Sequence, residues 1–216
     1  MFDVNSSRSY DSPLRDRAAL QTRRAILAAA AQLFVEQGYV ATTVDQIAQR
    51  AGVARPTVFA AAGNKRSLLK TIRDQALAGD DEPTPVAERA WYRETLNEPD
   101  ARQSLRLHAR NLVRISDRYA DIEAVLQAAA AADAELAQLW RTNEDERRRG
   151  AEFIVEALLG KSPLRAGLTR DEAVDLLWSF AESSHYRRLV RDRGWPIDRY
   201  ERWLTDTLCA QLLPPD

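Results

Sequence analysis

The chain is poor in the residues that staple small exported proteins or carry common catalysis. It has one cysteine, Cys209, among 216 residues. No disulfide can form within it, and a reducing compartment fits. Residues 1–20 are polar and charged, without the apolar centre of a secretory signal. No apolar run approaches the roughly eighteen residues that a membrane span needs. A soluble, cytoplasmic protein that does not enter a membrane is the expectation. Glycine is scarce at 8, which with an apolar content of 45% argues against disorder beyond the first residues. Only two histidines occur, and neither stands in an H-E-x-x-H spacing. No glycine-rich phosphate loop and no G-x-S-x-G elbow is found. No catalytic residue, metal ligand or cofactor is therefore expected, and the acidic groups Asp80/Asp81 and Glu144/Asp145/Glu146 read as a linker and a solvated face.

What is present is helix-forming: Ala, Leu, Arg and Glu dominate, and few segments alternate apolar with polar. The expected fold class is all-α. Net charge is −1, but it is unevenly spread. Residues 1–79 hold 11 Lys+Arg against 6 Asp+Glu, and residues 80–216 hold 20 against 26. A basic front and an acidic rear suggest that only the front meets a polyanion.

The most informative stretch is residues 42–69, TTVDQIAQRAGVARPTVFAAAGNKRSLL. Thr43 followed by Gln46 has the spacing of a capping box. Val44, Ile47, Ala48 and Ala51 then recur on one helical face. Gly52 can take the left-handed backbone of a sharp turn, and Val53 buries that turn. Arg55 to Ala61 makes a short second helix, and Asn64 caps a third from Lys65 to about Ala78. A helix held in this way outside the body of a protein fits the major groove of DNA.

Upstream, residues 1–12 read as a flexible arm. Pro13 to Gln37 reads as a helix with Ile26, Ala29, Ala30, Leu33 and Phe34 inward and Gly38 as its stop. Residues 13–64 thus form a helix-turn-helix domain. Residues 65–213 form a helical domain in which 65–78 is a connecting helix and residues 79–83 break the pattern. Within it the spacing predicts a short helix near Val86–Leu96, helices over Asp100–Tyr119 and Asp121–Ala131, and a long one over Ala134–Leu159 whose charged middle is solvated. A second capping box, Thr169 with Glu172, opens a helix to about Val190. A last helix runs from Ile197 to Leu213.

Thr22-Arg23-Arg24-Ala25-Ile26-Leu27, Leu33-Phe34, Gly38-Tyr39, Thr42-Thr43-Val44, Ile47-Ala48, Ala51-Gly52-Val53 and Lys65 with Leu68-Leu69 together resemble the tetracycline-repressor (TetR) family of bacterial regulators. The resemblance covers about fifty residues, with four helices in register. Less specifically, Trp178 to Leu213, including Arg193-Gly194-Trp195, is similar to the end of one subgroup. The resemblance implies an N-terminal three-helix DNA-binding domain and a C-terminal ligand-binding and dimerisation domain. It implies that Thr43 donates to a phosphate and that Arg55, Pro56, Thr57 and Ala60 face the groove. Lys65 and the start of its helix would bind a phosphate. Independently of the resemblance, Arg15, Arg17, Arg23 and Arg24 of the arm and first helix read either as a solvated face or as phosphate contacts, and the uneven charge favours the contacts.

Three departures stand out. Position 59 usually carries tyrosine; Phe59 keeps the ring and loses the hydroxyl. Ala61 and Ala62 replace the usual aromatic or histidine and phenylalanine. Ala54 replaces a serine cap, which weakens that helix by about 1 kcal/mol. Direct reading then falls to Arg55 on guanine and Thr57 on a base edge or thymine methyl, with more weight on DNA shape.

In the rear half, Trp91, Trp140, Trp178, Trp195 and Trp203 read first as core. A ligand cavity is the sharper reading, with Leu105, His108, Leu112, Ile115, Trp140, Phe153, Trp178 and His185 as lining and His108 as its best polar point; His185 fits a subunit contact equally well. The last two helices have wide apolar faces. In the family the corresponding pair packs against its copy, so Leu177, Ala181, Ser184, Tyr200, Leu204 and Leu208 are the expected homodimer contacts. Two linked recognition helices on a palindromic operator gain by avidity what one lacks. The resulting expectation is a dimeric repressor of transcription, released from double-stranded DNA by a small, largely apolar effector. A helical ligand-binding or interaction protein on the same scaffold, with weakened or lost operator binding, is the alternative.

Overall fold

The computed structural model describes residues 13–82 and 84–215, with side chains from residue 15. The arm over residues 1–12 lies outside the described residues. The chain divides into two compact units, Met1–Leu69 and Lys70–Asp216. All regular elements among the described residues are helical.

The first unit is built on α1 (Pro13–Ala41), α2 (Val44–Ala51), α3 (Arg55–Ala62) and the first turn of α4 (Lys65–Ala78). Gly38 interrupts α1 with φ 83°, a conformation that a Cβ disfavours. Thr42 is buried just beyond the interruption, and its hydroxyl donates to the Gly38 carbonyl at 2.8 Å. Ile26, Ala29, Ala30, Leu33 and Phe34 all face inward, as their spacing requires, and meet Ile47, Ala48 and Val58. Burying one such large side chain contributes about 1.5–3 kcal/mol. Leu68 and Leu69 are fully buried and belong with this unit. The boundary between units therefore falls inside α4.

The second unit contains the rest of α4, a 3-10 turn (Val86–Glu88), α5 (Ala90–Asn97), α6 (Ala101–Ala130), α7 (Ala134–Leu159), α8 (Arg170–Phe180), α9 (Ser184–Tyr186) and α10 (Ile197–Leu212). A π-helical segment (Arg187–Asp192) continues α9. Its core gathers Leu105, Ala109 and Val113 of α6, Ile154, Val155 and Leu158 of α7, Val174 and Leu177 of α8, Tyr186, and Tyr200, Leu204 and Leu208 of α10.

Three element expectations differ from the structure. The predicted pair of helices over 100–131 is one helix, α6, because nothing at residues 119–121 breaks it: no glycine, proline or cap stands there. The helix from Thr169 stops at Phe180 instead of reaching Val190. The Ser183 amide, freed by that stop, donates to the buried Glu123 carboxylate at 2.9 Å, so an inter-helix acceptor replaces a helical one. The charged middle of α7 is not simply solvated: Asn143 is buried and the Arg147 side chain nearly so.

Candidate nucleic-acid interface

The turn between α2 and α3 is fixed by local chemistry. The Gln46 amide donates to Thr43 Oγ1 at 3.2 Å, and the Thr43 amide donates to Gln46 Oε1 at 2.8 Å. Gly52 ends α2 at φ 68°, and the Val53 amide returns to the Ala48 carbonyl at 3.0 Å. α3 begins at Ala54 without a side-chain cap. Val58 anchors α3 to the unit, fully buried. That anchor turns Arg55, Pro56, Phe59 and Ala60 outward, all exposed, with Thr57 half-buried beside them. Phe59 leaves 44% of its surface in solvent, an unusual disposition for a ring in a unit with its own apolar core.

The face carries less free positive charge than its arginine suggests. Arg55 ion-pairs with Asp45 of α2 at 3.3 Å, and its guanidinium lies 5.8 Å from the Phe59 ring centre. Both partners are well exposed, so the pair contributes about 0–1 kcal/mol and yields readily to a phosphate or base. Arg24 is exposed on α1, and Arg23 donates to the Ala61 carbonyl at the end of α3 at 3.4 Å.

Lys65 is placed differently from the expectation. Its ammonium donates to the carbonyls of Tyr39 at 2.8 Å and Thr42 at 2.9 Å and sits 4.2 Å from the Tyr39 ring centre. Both carbonyls stand where α1 ends, and a cation is favourable at such a terminus. Two of its three donors thus brace the start of α4 against the end of α1. Asn64 caps α4, accepting from the Ser67 amide at 2.9 Å.

In the second unit the expected cavity residues separate. Leu105 is buried in the core; His108, Leu112, Ile115, Trp140 and Trp178 are half-buried. Phe153 points outward, 58% exposed, which corrects its place in a cavity: its neighbours Ile154 and Val155 take the inward positions of that turn. His185 joins an aromatic seam, 5.7 Å from Phe180 and 6.2 Å from Trp203 between ring centres. His108 Nε2 and Trp178 Nε1 are enclosed without hydrogen-bond partners. Burial pushes the His108 pKa down to about 4, so its ring is neutral at physiological pH. A groove of 330 Å³ opens beside Asp100, Arg102, Lys161 and Pro214 and includes none of the expected effector residues.

The expected dimer contacts need correction as well. Leu177, Tyr200, Leu204 and Leu208 are buried in the protomer's own core, out of a partner's reach, because one apolar stripe of each helix is consumed in covering α6 and α7. Ala181 and Ser184 stay half-buried. The partly open apolar side chains on α8 and α10 instead include Leu176, Phe180 and Trp203, with Ile197 exposed at the edge.

Residue spacing missed a polar ladder between α4, α6 and α7. Arg73 of α4 is buried; it donates to Asn143 Oδ1 at 3.0 Å and pairs with Glu146 and Asp74. Tyr119 of α6 donates to the same Asn143 oxygen at 3.1 Å. One turn along both helices, Arg147 pairs with Glu123 at 2.9 Å. The available signal was the matched four-residue spacing, Tyr119/Glu123 and Asn143/Arg147.

Comparison with known proteins agrees with this geometry. Residues 26–72 match the sequence profile of bacterial regulatory proteins, tetR family. The uncharacterized HTH-type transcriptional regulator YdeS of Bacillus subtilis is 31% identical over 159 residues, covering 73% of this chain and 74% of that protein. Among solved structures, NalD, the secondary repressor of the MexAB-OprM multidrug efflux pump in Pseudomonas aeruginosa, superposes with a TM-score of 0.64 at 20% identity, covering 91% of this chain and 98% of NalD. A gamma-butyrolactone receptor (ArpA-like protein) superposes with a TM-score of 0.64 at 19% identity, over 91% of this chain and 90% of the receptor.

Proposed function

The chain belongs to the tetR family of bacterial regulatory proteins and is a transcriptional regulator, not an enzyme; from that footing we propose that it is a dimeric repressor whose two α3 helices enter successive major grooves of a palindromic operator. The observation that carries this reading is the outward face of α3, where Arg55, Pro56, Phe59 and Ala60 stand clear of a helix anchored by Val58. Arg55 exchanges Asp45 for guanine, and Thr57 and Ala60 meet base edges or thymine methyls. The Phe59 ring packs on the sugar-phosphate wall. Thr43 and Arg24 contact phosphates, while Lys65 keeps α4 docked and so sets the angle of the turn.

The partner copy covers the seam of Leu176, Phe180, His185 and Trp203, flanked by Ala181 and Ser184. The two solved neighbours named as a repressor and a receptor support repression and a small-molecule effector. Leu105, His108, Leu112, Ile115 and Trp178 are the residues to which that effector is assigned. An effector that prefers the conformation with mis-spaced α3 helices weakens DNA binding, and DNA weakens the effector by the same factor. No helix among the described residues is long and apolar enough to cross a membrane.

The alternative, an interaction protein on the same scaffold without operator reading, draws on the Arg55–Asp45 pair and the uncapped start of α3. Binding of the full chain to its own promoter and to random DNA, across a salt series, separates the two. A specific binder prefers its promoter by a factor of about 10³ or more; equal affinity for both selects the alternative.

A further inference from the structure

Three rings of the seam assigned to the partner copy meet because a helix is broken. In an unbroken α-helix, side chains five positions apart point about 140° from one another, so Phe180 and His185 would stand on different faces. Here their ring centres are 5.7 Å apart, and Trp203 of α10 lies 6.5 Å from Phe180 and 6.2 Å from His185. The chain brings them together by turning through residues 181–183, between α8 and α9.

No residue in that stretch requires a turn: it holds no glycine, no proline and no positive φ. The Glu182 amide still returns to the Ser179 carbonyl at 3.3 Å, and the helical ladder fails at the next residue. The Ser183 amide crosses instead to α6 and donates to Glu123 Oε2 at 2.9 Å. Ser183 and Glu123 are both buried, and a buried amide needs an acceptor. The acceptor that a continued helix would offer it is the Ser179 carbonyl. Glu123 therefore decides between a break and a longer helix.

Glu123 is itself held, since Arg147 of α7 donates to its Oε1 at 2.9 Å. Beyond the break, α6 also pins the chain that follows. Tyr186 donates to Asp117 Oδ1 at 2.6 Å, Arg191 pairs with Asp117 at 2.9 Å, and Arg187 pairs with Asp121 at 3.6 Å. Of these three acids of α6, Glu123 is the one that meets the break. A buried carboxylate–guanidinium pair adds little net stability over apolar residues of similar size, so stability alone does not account for it.

We propose that Glu123 is a positioning residue for self-association: by accepting the Ser183 amide it holds the turn that presents Phe180, His185 and Trp203 as one patch. The proposal rests on the reading that a second copy covers this seam. A helix continued through residue 183 would turn His185 away from Phe180 and split the patch.

The test compares two double variants of the full chain, Glu123→Gln with Arg147→Met and Glu123→Met with Arg147→Met. Both lack the buried ion pair, a replacement that buried pairs commonly tolerate. They differ in whether residue 123 offers the Ser183 amide an oxygen. Urea unfolding gives the amount of folded chain, sedimentation equilibrium gives the dimer dissociation constant, and the nuclear Overhauser effect between the Phe180 and His185 rings reports the break. The glutamine variant should keep the ring contact and dimerise within about twofold of the unsubstituted chain, whereas the methionine variant should lose the contact and dimerise about tenfold more weakly. Equal dimerisation by the two folded variants overturns the proposal, as does a weakening that only follows the unfolded fraction. Failure of the methionine variant alone to fold makes the acceptor a requirement of the core and overturns it too. An unsubstituted chain that stays single at every concentration ends the dimer reading, and the ring contact then decides on Glu123 by itself. Lost in the methionine variant alone, that contact leaves Glu123 as what shapes the patch; kept in both variants, it removes that role.

Discussion

His108 gives a prediction whose size follows from its surroundings. Its Nε2 is enclosed without a partner, and burial lowers its pKa from about 6.5 to about 4. The folded chain therefore refuses a proton that the unfolded chain accepts between those values. Stability is whole above about pH 6.5 and is lost as pH falls toward 4. Between pH 8 and pH 5 the loss from this one group is at most about 2 kcal/mol, an upper figure because the residue is not wholly covered. Asp80, Glu172 and Asp198 have carboxyls held below their usual range, the first and last by arginine partners and Glu172 by the Thr169 amide and hydroxyl. Their losses begin at lower pH, so the window from 8 to 5 isolates the imidazole from them. The assay is urea unfolding of the native protein and His108→Gln at pH 8, 6.5 and 5. Glutamine does not titrate, so the variant should be flatter over that window by up to about 2 kcal/mol, whatever its stability at pH 8. Parallel curves for the two proteins would refute the claim that His108 is held neutral.

Three further outcomes follow from named contacts. Lys65→Met removes two charge-assisted hydrogen bonds to the end of α1 and should lower the stability of the first unit by about 2–3 kcal/mol, measured by thermal unfolding; an unchanged midpoint would return Lys65 to a purely phosphate-contacting role. Arg55→Ala leaves the fold intact, since its pair with Asp45 is exposed. It should cost about 1–3 kcal/mol on the preferred operator and much less on random DNA, read by a competition binding assay; equal losses on both would remove base reading from Arg55. Trp203→Glu places a charge in the half-covered seam of α8 and α10 and should shift sedimentation from two chains to one, with promoter affinity falling in step; a dimer of native strength would move the interface elsewhere.

Sequence alone carried the first unit almost completely. Its elements depend on near neighbours: the Thr43–Gln46 box, the Gly52 turn, the Gly38 stop and the Ile26–Phe34 stripe each declare themselves within about a helical turn or two. The second unit was legible as helices but not as partners. Leu177 and Leu204 are apolar at the right spacing for either a core or a dimer seam, and only the packing of α6 and α7 against them decides which. The helix break at residues 181–183 has no glycine or proline to announce it; it depends on Glu123, sixty residues away, taking the Ser183 amide. The charged run in α7 reads as solvated because its partners Arg73, Tyr119 and Glu123 lie on other helices. At the nucleic-acid face, the outward residues of α3 were readable. The inward turn of Lys65 was not, since its acceptors are backbone carbonyls that no residue type reveals.

The central claim is that two copies of this chain read one stretch of duplex through α3. The direct measurement is titration of its own promoter DNA with the full chain, recording affinity, stoichiometry and salt dependence, against scrambled DNA of equal length. Two chains per site, a dissociation constant on the order of 10⁻⁸ M or tighter, a steep fall with salt and a large preference for the promoter are the predicted result. One chain per site, or the same affinity for promoter and scrambled DNA, would contradict it.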